Sequence, residues 1–258
     1  MSKIAAKITG KTLAALVLCS GVILLTRIDL SGSENQQGIV TYVDGMAKKQ
    51  KLEEANWNNV IKNTTVISGE RVRTFSESRA ELEMPQLDII RMSPKTTIDI
   101  LKLYEESKEQ VREAKIVLQS GDLWANVNKK SADFKLSINT PVAAAAITGT
   151  TLRLNVAADS SAEVKVYHGE VVLSNVPEKT SEGVKGVVKP VPVEGPRQVE
   201  GPRPVSLEEW SLIVKSMQKV KINSKGQVVQ SSSFSQQDED EKTDWVLWNQ
   251  ERDKNKKN

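Results

Sequence analysis

Cysteine is almost missing from these 258 residues: the one copy, Cys19, lies inside the first apolar run. The rest of the chain can hold no intramolecular disulfide, no cysteine-based metal site and no thiol nucleophile. Histidine also occurs once, at His168 beside Gly169. A lone imidazole without a cysteine partner makes a poor metal site, and a Ser-His-Asp triad would have to be assembled around it. His168 therefore reads as a structural turn residue. Aromatics make up 4% of the chain, which leaves any core to Val, Ile, Leu and Ala. The 36 basic and 33 acidic residues nearly cancel to +3, and no clustering of Lys and Arg marks a nucleic-acid surface. No phosphate loop or metal-ligand spacing occurs, so no catalytic, cofactor-binding or metal residue is assigned and no nucleic acid is expected as partner. Carboxylates are plentiful. A glycan-acting hydrolase stays as a third reading, which needs two of them to converge in a cleft at about 5–10 Å.

What is present begins with a localisation signal. Lys3, Lys7 and Lys11 precede the apolar run Leu13 to Leu25, and Arg27 and Asp29 follow it. Lysines before an apolar stretch should stay cytoplasmic while the rest is translocated. The run is short for a span, which usually needs about 20 residues. Yet a cleavage after Ser20 would put Leu18 where a small residue belongs, and Leu18 also spoils a lipoprotein reading at Cys19. Residues 1–30 are expected to be an uncleaved signal anchor, with the membrane engaged through residues 13–25 and the C-terminal part in the periplasm. A cleaved, periplasmic form and a buried core helix are the alternatives.

From Gly38 onward the text reads as strands. Apolar residues alternate at Leu123, Ala125 and Val127, at Phe134, Leu136 and Ile138, and at Leu152, Leu154 and Val156. Glycine punctuates similar phrases, VISGERV, VLQSGDLW and VYHGEVV, and each is expected to close a hairpin. Tyr104 to Lys115 is a polar interruption, either a short charged helix or the tip of a long hairpin. Ala143 to Ala146 has so little side-chain bulk that it suggests close backbone approach. Residues 176–205 form a proline-rich linker in which VEGPR occurs twice. Residues 206–230 are expected to hold a helix capped by Ser206, with Leu212, Ile213 and Met217 on its apolar face, and then a small hairpin. The charged stretch 231–258 is expected to be disordered. Within it Trp245 and Trp248 form a candidate exposed docking pair.

The segment from about Thr64 to Asn175 resembles the FecR domain of bacterial envelope proteins. The text that carries the resemblance is VISGERVRTFSESRAELEM, LDIIRMSPKTTIDI, VLQSGDLWANV, FKLSINTPVAAAAITGTTLRLNV and VKVYHGEVVL. Its fold markers in this chain are Gly69, Gly121, Pro141, Gly149, Thr150 and Gly169. The resemblance implies an all-β fold, of hairpins, irregular β-coil or sandwich type, over residues 38–175. An N-terminal hydrophobic helix and a short C-terminal helix complete the expected architecture. The family takes its name from transmembrane regulators that join a cytoplasmic anti-sigma domain to a periplasmic FecR domain. Only about a dozen residues precede the apolar run here, so anti-sigma activity is not carried over. The expected function is a non-catalytic exported module that binds an envelope protein or a cell-wall glycan. A transmembrane signalling relay is the alternative.

Overall fold

The computed structural model describes residues 37–84, 88–106, 112–127, 134–175 and 210–255; the apolar run 13–25 and the proline-rich linker lie outside them. Strands dominate. The first eight are β1 (Gly38–Asp44), β2 (Ala47–Lys51), β3 (Asn58–Val60), β4 (Thr65–Val66), β5 (Glu70–Thr74), β6 (Arg79–Met84), β7 (Asp88–Met92) and β8 (Thr97–Glu106). Then come β9 (Arg112–Asn126), β10 (Phe134–Asn139), β11 (Ala144–Val156) and β12 (Ala162–Ser174). The C-terminal region adds β13 (Ser211–Lys215), β14 (Gln218–Ile222), β15 (Val228–Ser233), a 3-10 turn at Glu239–Glu241 and helix α1 (Asp244–Asn255).

All fifteen strands among the described residues belong to one hydrogen-bonded sheet, and its pairings resolve into two layers. The first runs β4-β1-β6-β7, then the second half of β9, the second half of β11, the first half of β12, β14 and β15. The other runs β3-β2-β5-β8, then the first half of β9, β10, the first half of β11, the second half of β12, and β13. Strands β9, β11 and β12 thus pass through both. Period-two alternation aims one face of each layer inward. In the first layer the row Leu82, Ile90, Ala125, Leu152, Val166 is in cross-strand register. In the second, Leu103, Ala114, Leu136, Ile147, Val171 and Val214 are aligned likewise. Both rows fall in a single buried apolar cluster, which contains no residue beyond Ile222.

The glycine phrases do not close hairpins. Gly121, Gly149 and Gly169 lie inside β9, β11 and β12, where those strands change layer. Hairpin reasoning fails because a positive-φ glycine serves equally well to bend one strand. Gly121 has φ +97°, and a Cβ there would lie 2.4 Å from Thr96 Oγ1 and 2.6 Å from Thr96 Cα. Thr96 Oγ1 meanwhile accepts from the Asp122 amide and contacts its carbonyl oxygen, so the corner has no room for a side chain. Gly149 and Gly169 face each other across β11 and β12: a Cβ on Gly169 would lie 2.7 Å from the Gly149 carbonyl oxygen. Thr150 Oγ1 bonds the Glu170 carbonyl at 2.9 Å between them.

Two other expectations are overturned. The helix proposed within 206–230 is replaced, over its described part, by β13 and β14. β13 completes the edge of β12 from Glu170 to Ser174, and that pairing outweighs the weak helix propensity of the segment. The stretch from 231 is ordered as far as Asn255, and the short C-terminal helix sits at Asp244–Asn255. The small hairpin expected at Lys221 to Val229 is present in a longer form, with β14 paired to β15. The polar interruption takes its hairpin form, since β8 and β9 pair up to Glu106 and Arg112. Of the small-residue run Ala143 to Ala146, the first three are buried and Ala146 is exposed.

Replacing Gly121 by Ala should destabilise the protein by about 2–4 kcal/mol, because steric overlap adds to the cost of positive φ. Gly69→Ala also has positive φ, +82°, but nothing lies within 4 Å of its Cβ position; it should cost about 1 kcal/mol. Urea unfolding monitored by tryptophan fluorescence measures both.

Candidate functional site

The outward face of the first layer carries a row of residues unlike the rest of the sheet. Tyr42, Glu81, Arg91, Trp124, Arg153, Lys165 and Lys219 are aligned in successive cross-strand pairs. Each sits one residue from an inward apolar position, so strand alternation places them all outside. Arg91, Trp124, Lys165 and Glu81 are nonetheless almost fully buried. Their cover is the C-terminal segment, Phe234 to Asn255.

Helix α1 turns Trp245, Asn249 and Asp253 toward the sheet, one every four residues. Arg252 and Lys254 in its last turn favour the helix dipole. Trp124 donates from Nε1 to Asp253 at 2.9 Å, and Trp245 donates to Asp122 at 3.0 Å. Arg91 donates to Glu81 at 2.6 Å, to Asp253 at 2.7 Å and to the Asn249 side-chain oxygen at 3.3 Å. Its Nη2 has no hydrogen-bond partner among the described residues. Arg153 forks onto Asp122 at 2.5–3.0 Å. Lys165 donates to Glu241 at 2.7 Å and to Asp240, and Tyr167 donates to the other Glu241 oxygen at 2.7 Å. Arg79 pairs with Asp244.

Aromatic contacts complete the cover. Trp124 packs on Tyr167 with ring centroids 4.5 Å apart, and Phe234 meets Tyr167 edge-on at 5.3 Å. Trp245 stacks on Trp248 at 5.6 Å, and Tyr42 lies 5.6 Å from Trp248. Guanidinium groups of Arg79, Arg91 and Arg252 lie 5.0–5.9 Å from the Trp248 ring, within cation–π range. Trp124, Trp245 and Val246 form an apolar cluster of their own, separate from the main core.

Burial makes these charges consequential. It would raise the Glu81 carboxyl, but donors from Arg252, Arg91 and Thr41 win and hold it at about 2. Burial would lower Lys165, yet Asp240 and Glu241 raise its pKa above the usual value. Arg153 is raised against burial by Asp122, and Tyr167 is raised by burial and by the Glu241 charge. Leaving one member of such a pair alone costs about 3–5 kcal/mol, whereas the intact pair contributes little net stability.

The expected docking pair is therefore placed differently. Trp245 is buried and Trp248 half-buried, both held down by the sheet's own cations and rings. Of the fold markers, Gly121 adjoins Asp122 beside this row; Gly149, Thr150 and Gly169 meet at the opposite corner. Gly69 precedes β5, and Pro141 is exposed in a turn closed by Thr140 and Ala143. His168 is exposed within β12 rather than at a turn. Among the described residues no group of His, Cys, Asp and Glu could hold a metal ion, and no helix is long and apolar enough to cross a membrane. A shallow cleft of about 710 Å³ is lined by Asp44, Glu77, Arg79, Lys95 and Asp244 among others. Residues Glu81, Arg91, Arg153 and Lys165 were not recognisable as a set in the sequence. Their only signal is a charge flanked on both sides by apolar residues, as in IRM, LRL and VKV.

Residues 70–172 match the family model described as FecR protein; the chain carries a FecR domain. Two crystal structures of a candidate anti-sigma factor from Parabacteroides distasonis ATCC 8503 are similar, at 12% and 10% identity with TM-scores of 0.42 and 0.43. Each match covers 63% of this chain and 59% of that one, so the chain spans less than two thirds of that protein. No curated protein matches.

Glu81 ties the covered row to pH. A depressed folded pKa contributes stability above the unfolded value, 4.5, which is lost as pH falls toward about 2. The urea midpoint should drop across that window, and Glu81→Gln should start lower and flatten the dependence.

Proposed function

We propose that this chain, through its FecR domain, is a non-catalytic regulatory protein of the bacterial envelope that acts by binding another envelope protein along a sheet edge. The observation that carries the reading is β15. It bonds β14 on one side, and its residues Val228 to Gln230 are all exposed, with Val229 at 62% exposure. A strand with one open side offers a row of backbone donors and acceptors, and an extended partner segment can add to it. Natural edges are often blunted by charge or proline, whereas VVQSSS has neither. The FecR match supports a regulatory rather than a metabolic role.

A photo-crosslinking residue at Val229 or Ser231 should capture one envelope protein in living cells, whereas the same residue at Ile61, exposed elsewhere, should not. Val229→Lys should reduce capture about tenfold. Equal capture from both places would remove the edge from the mechanism.

The location proposed is the inner membrane, with the β-domain in the periplasm, on the strength of three lysines before Leu13–Leu25. An alkaline phosphatase fusion after Gln37 should be active. An inactive fusion overturns the export reading and leaves the edge prediction standing as a separate question.

A further inference from the structure

The segment Phe234 to Asn255 touches the sheet differently from every strand. The main core closes without it, since no member lies beyond Ile222. Its own apolar cluster is Trp124 with Trp245 and Val246. Most of what it makes is polar: Asp240 and Glu241 on Lys165, Asp244 on Arg79, Asp253 on Arg91 and Trp124. A 12-residue helix is marginal in isolation, so α1 depends on the sheet more than the sheet depends on α1.

Removing the segment from this geometry leaves a defined surface. Five cations, Arg79, Arg91, Arg153, Lys165 and Lys219, stand against three carboxylates, Glu81, Asp122 and Glu163. Trp124 and Tyr167 form an aromatic floor. Tyr42, Arg79 and Arg91 form a socket, now filled by the Trp248 ring. Arg91 is fully buried, yet its Nη2 lacks a partner among the described residues. The resident segment therefore satisfies the groove incompletely.

We propose that residues 234–255 are an intramolecular stand-in for a partner's segment, and that the groove they cover binds an acidic, tryptophan-bearing peptide of another protein once they leave. The β15 edge and this groove are separate surfaces, so the inference goes beyond the edge-binding function. Charge complementarity selects the occupant. Carboxylates must meet Arg91 and Lys165 at once, as Asp253 and Glu241 now do, because a buried cation short of counter-charge costs several kcal/mol. Arg153 keeps Asp122 of the sheet and meets the segment at the Asp240 carbonyl. An indole must fill the cationic socket. A partner gains access in proportion to the fraction of molecules whose own segment has lifted.

The probe is a fluorescein-labelled synthetic peptide of residues 234–255, titrated against the full-length chain in detergent and read by anisotropy. Wild type should bind weakly, since its own segment competes. A variant with Asp240→Asn, Glu241→Gln and Asp253→Asn should bind about tenfold tighter or more. Adding Arg153→Gln and Lys165→Gln to that variant should abolish binding, and replacing both tryptophans of the peptide by alanine should weaken it about tenfold. A folded triple variant that ignores the peptide, or binds it no better than wild type, overturns the proposal. A dimer exchanging the segment between copies, seen by light scattering, also overturns it by making a second copy the occupant. Should the triple variant not fold, hydrogen exchange on wild type decides. The α1 amides should exchange at least about tenfold faster than those of β11 and β12, and equal protection overturns the proposal. Crosslinking from β15 is unaffected by any of these outcomes.

Discussion

The register of β9 against its neighbours is the constraint on which the rest of this structure depends. β9 leaves one layer and enters the other at Gly121, where positive φ and the contact with Thr96 admit no side chain. Beyond that bend, Trp124 falls opposite Arg91 on one side and Arg153 on the other. A slip of one residue would turn Leu123 and Ala125 outward and Trp124 into the core. The apolar rows and the charged row are therefore set by the same backbone choice.

From that register follows an unusual division of labour. The inner faces of the layers pack aliphatic side chains into one core of the ordinary kind. The outer face of the first layer is a second buried region, built from ion pairs and rings and closed by the chain's own C-terminus. Aliphatic burial is non-directional and tolerates adjustment. Buried charge is directional and penalises any missing partner. The C-terminal segment is thus specified by chemistry more than by area, which suits a part that a similar segment could replace.

Some of this was legible in the residues and some was not. Alternation at Leu152, Leu154 and Val156 announced strands whose inward faces are buried, and the FecR-like phrases announced the domain. The Gly121 and Gly169 phrases announced positive φ, but a turn and a bend in one continuous strand demand the same residue there. Leu212, Ile213 and Met217 suggested helix because local spacing says nothing of the open edge that β12 offers. Trp245 and Trp248 looked like an exposed pair because the surfaces that cover them, Tyr42, Arg91 and Asp122, lie more than 120 positions away in the chain.

The residues alone determined the strand-forming text, the glycines that bend it, the lack of any cysteine after Cys19 and the family of the domain. These are local properties, carried by side-chain period and by the backbone freedom of single residues. Only the tertiary structure decided that Glu81, Arg91, Trp124, Arg153 and Lys165 stand in one row and that the charged C-terminus is folded over it. Cross-strand register is a relation between distant segments, and a lone arginine in an apolar strand carries no sign of which carboxylate it will meet.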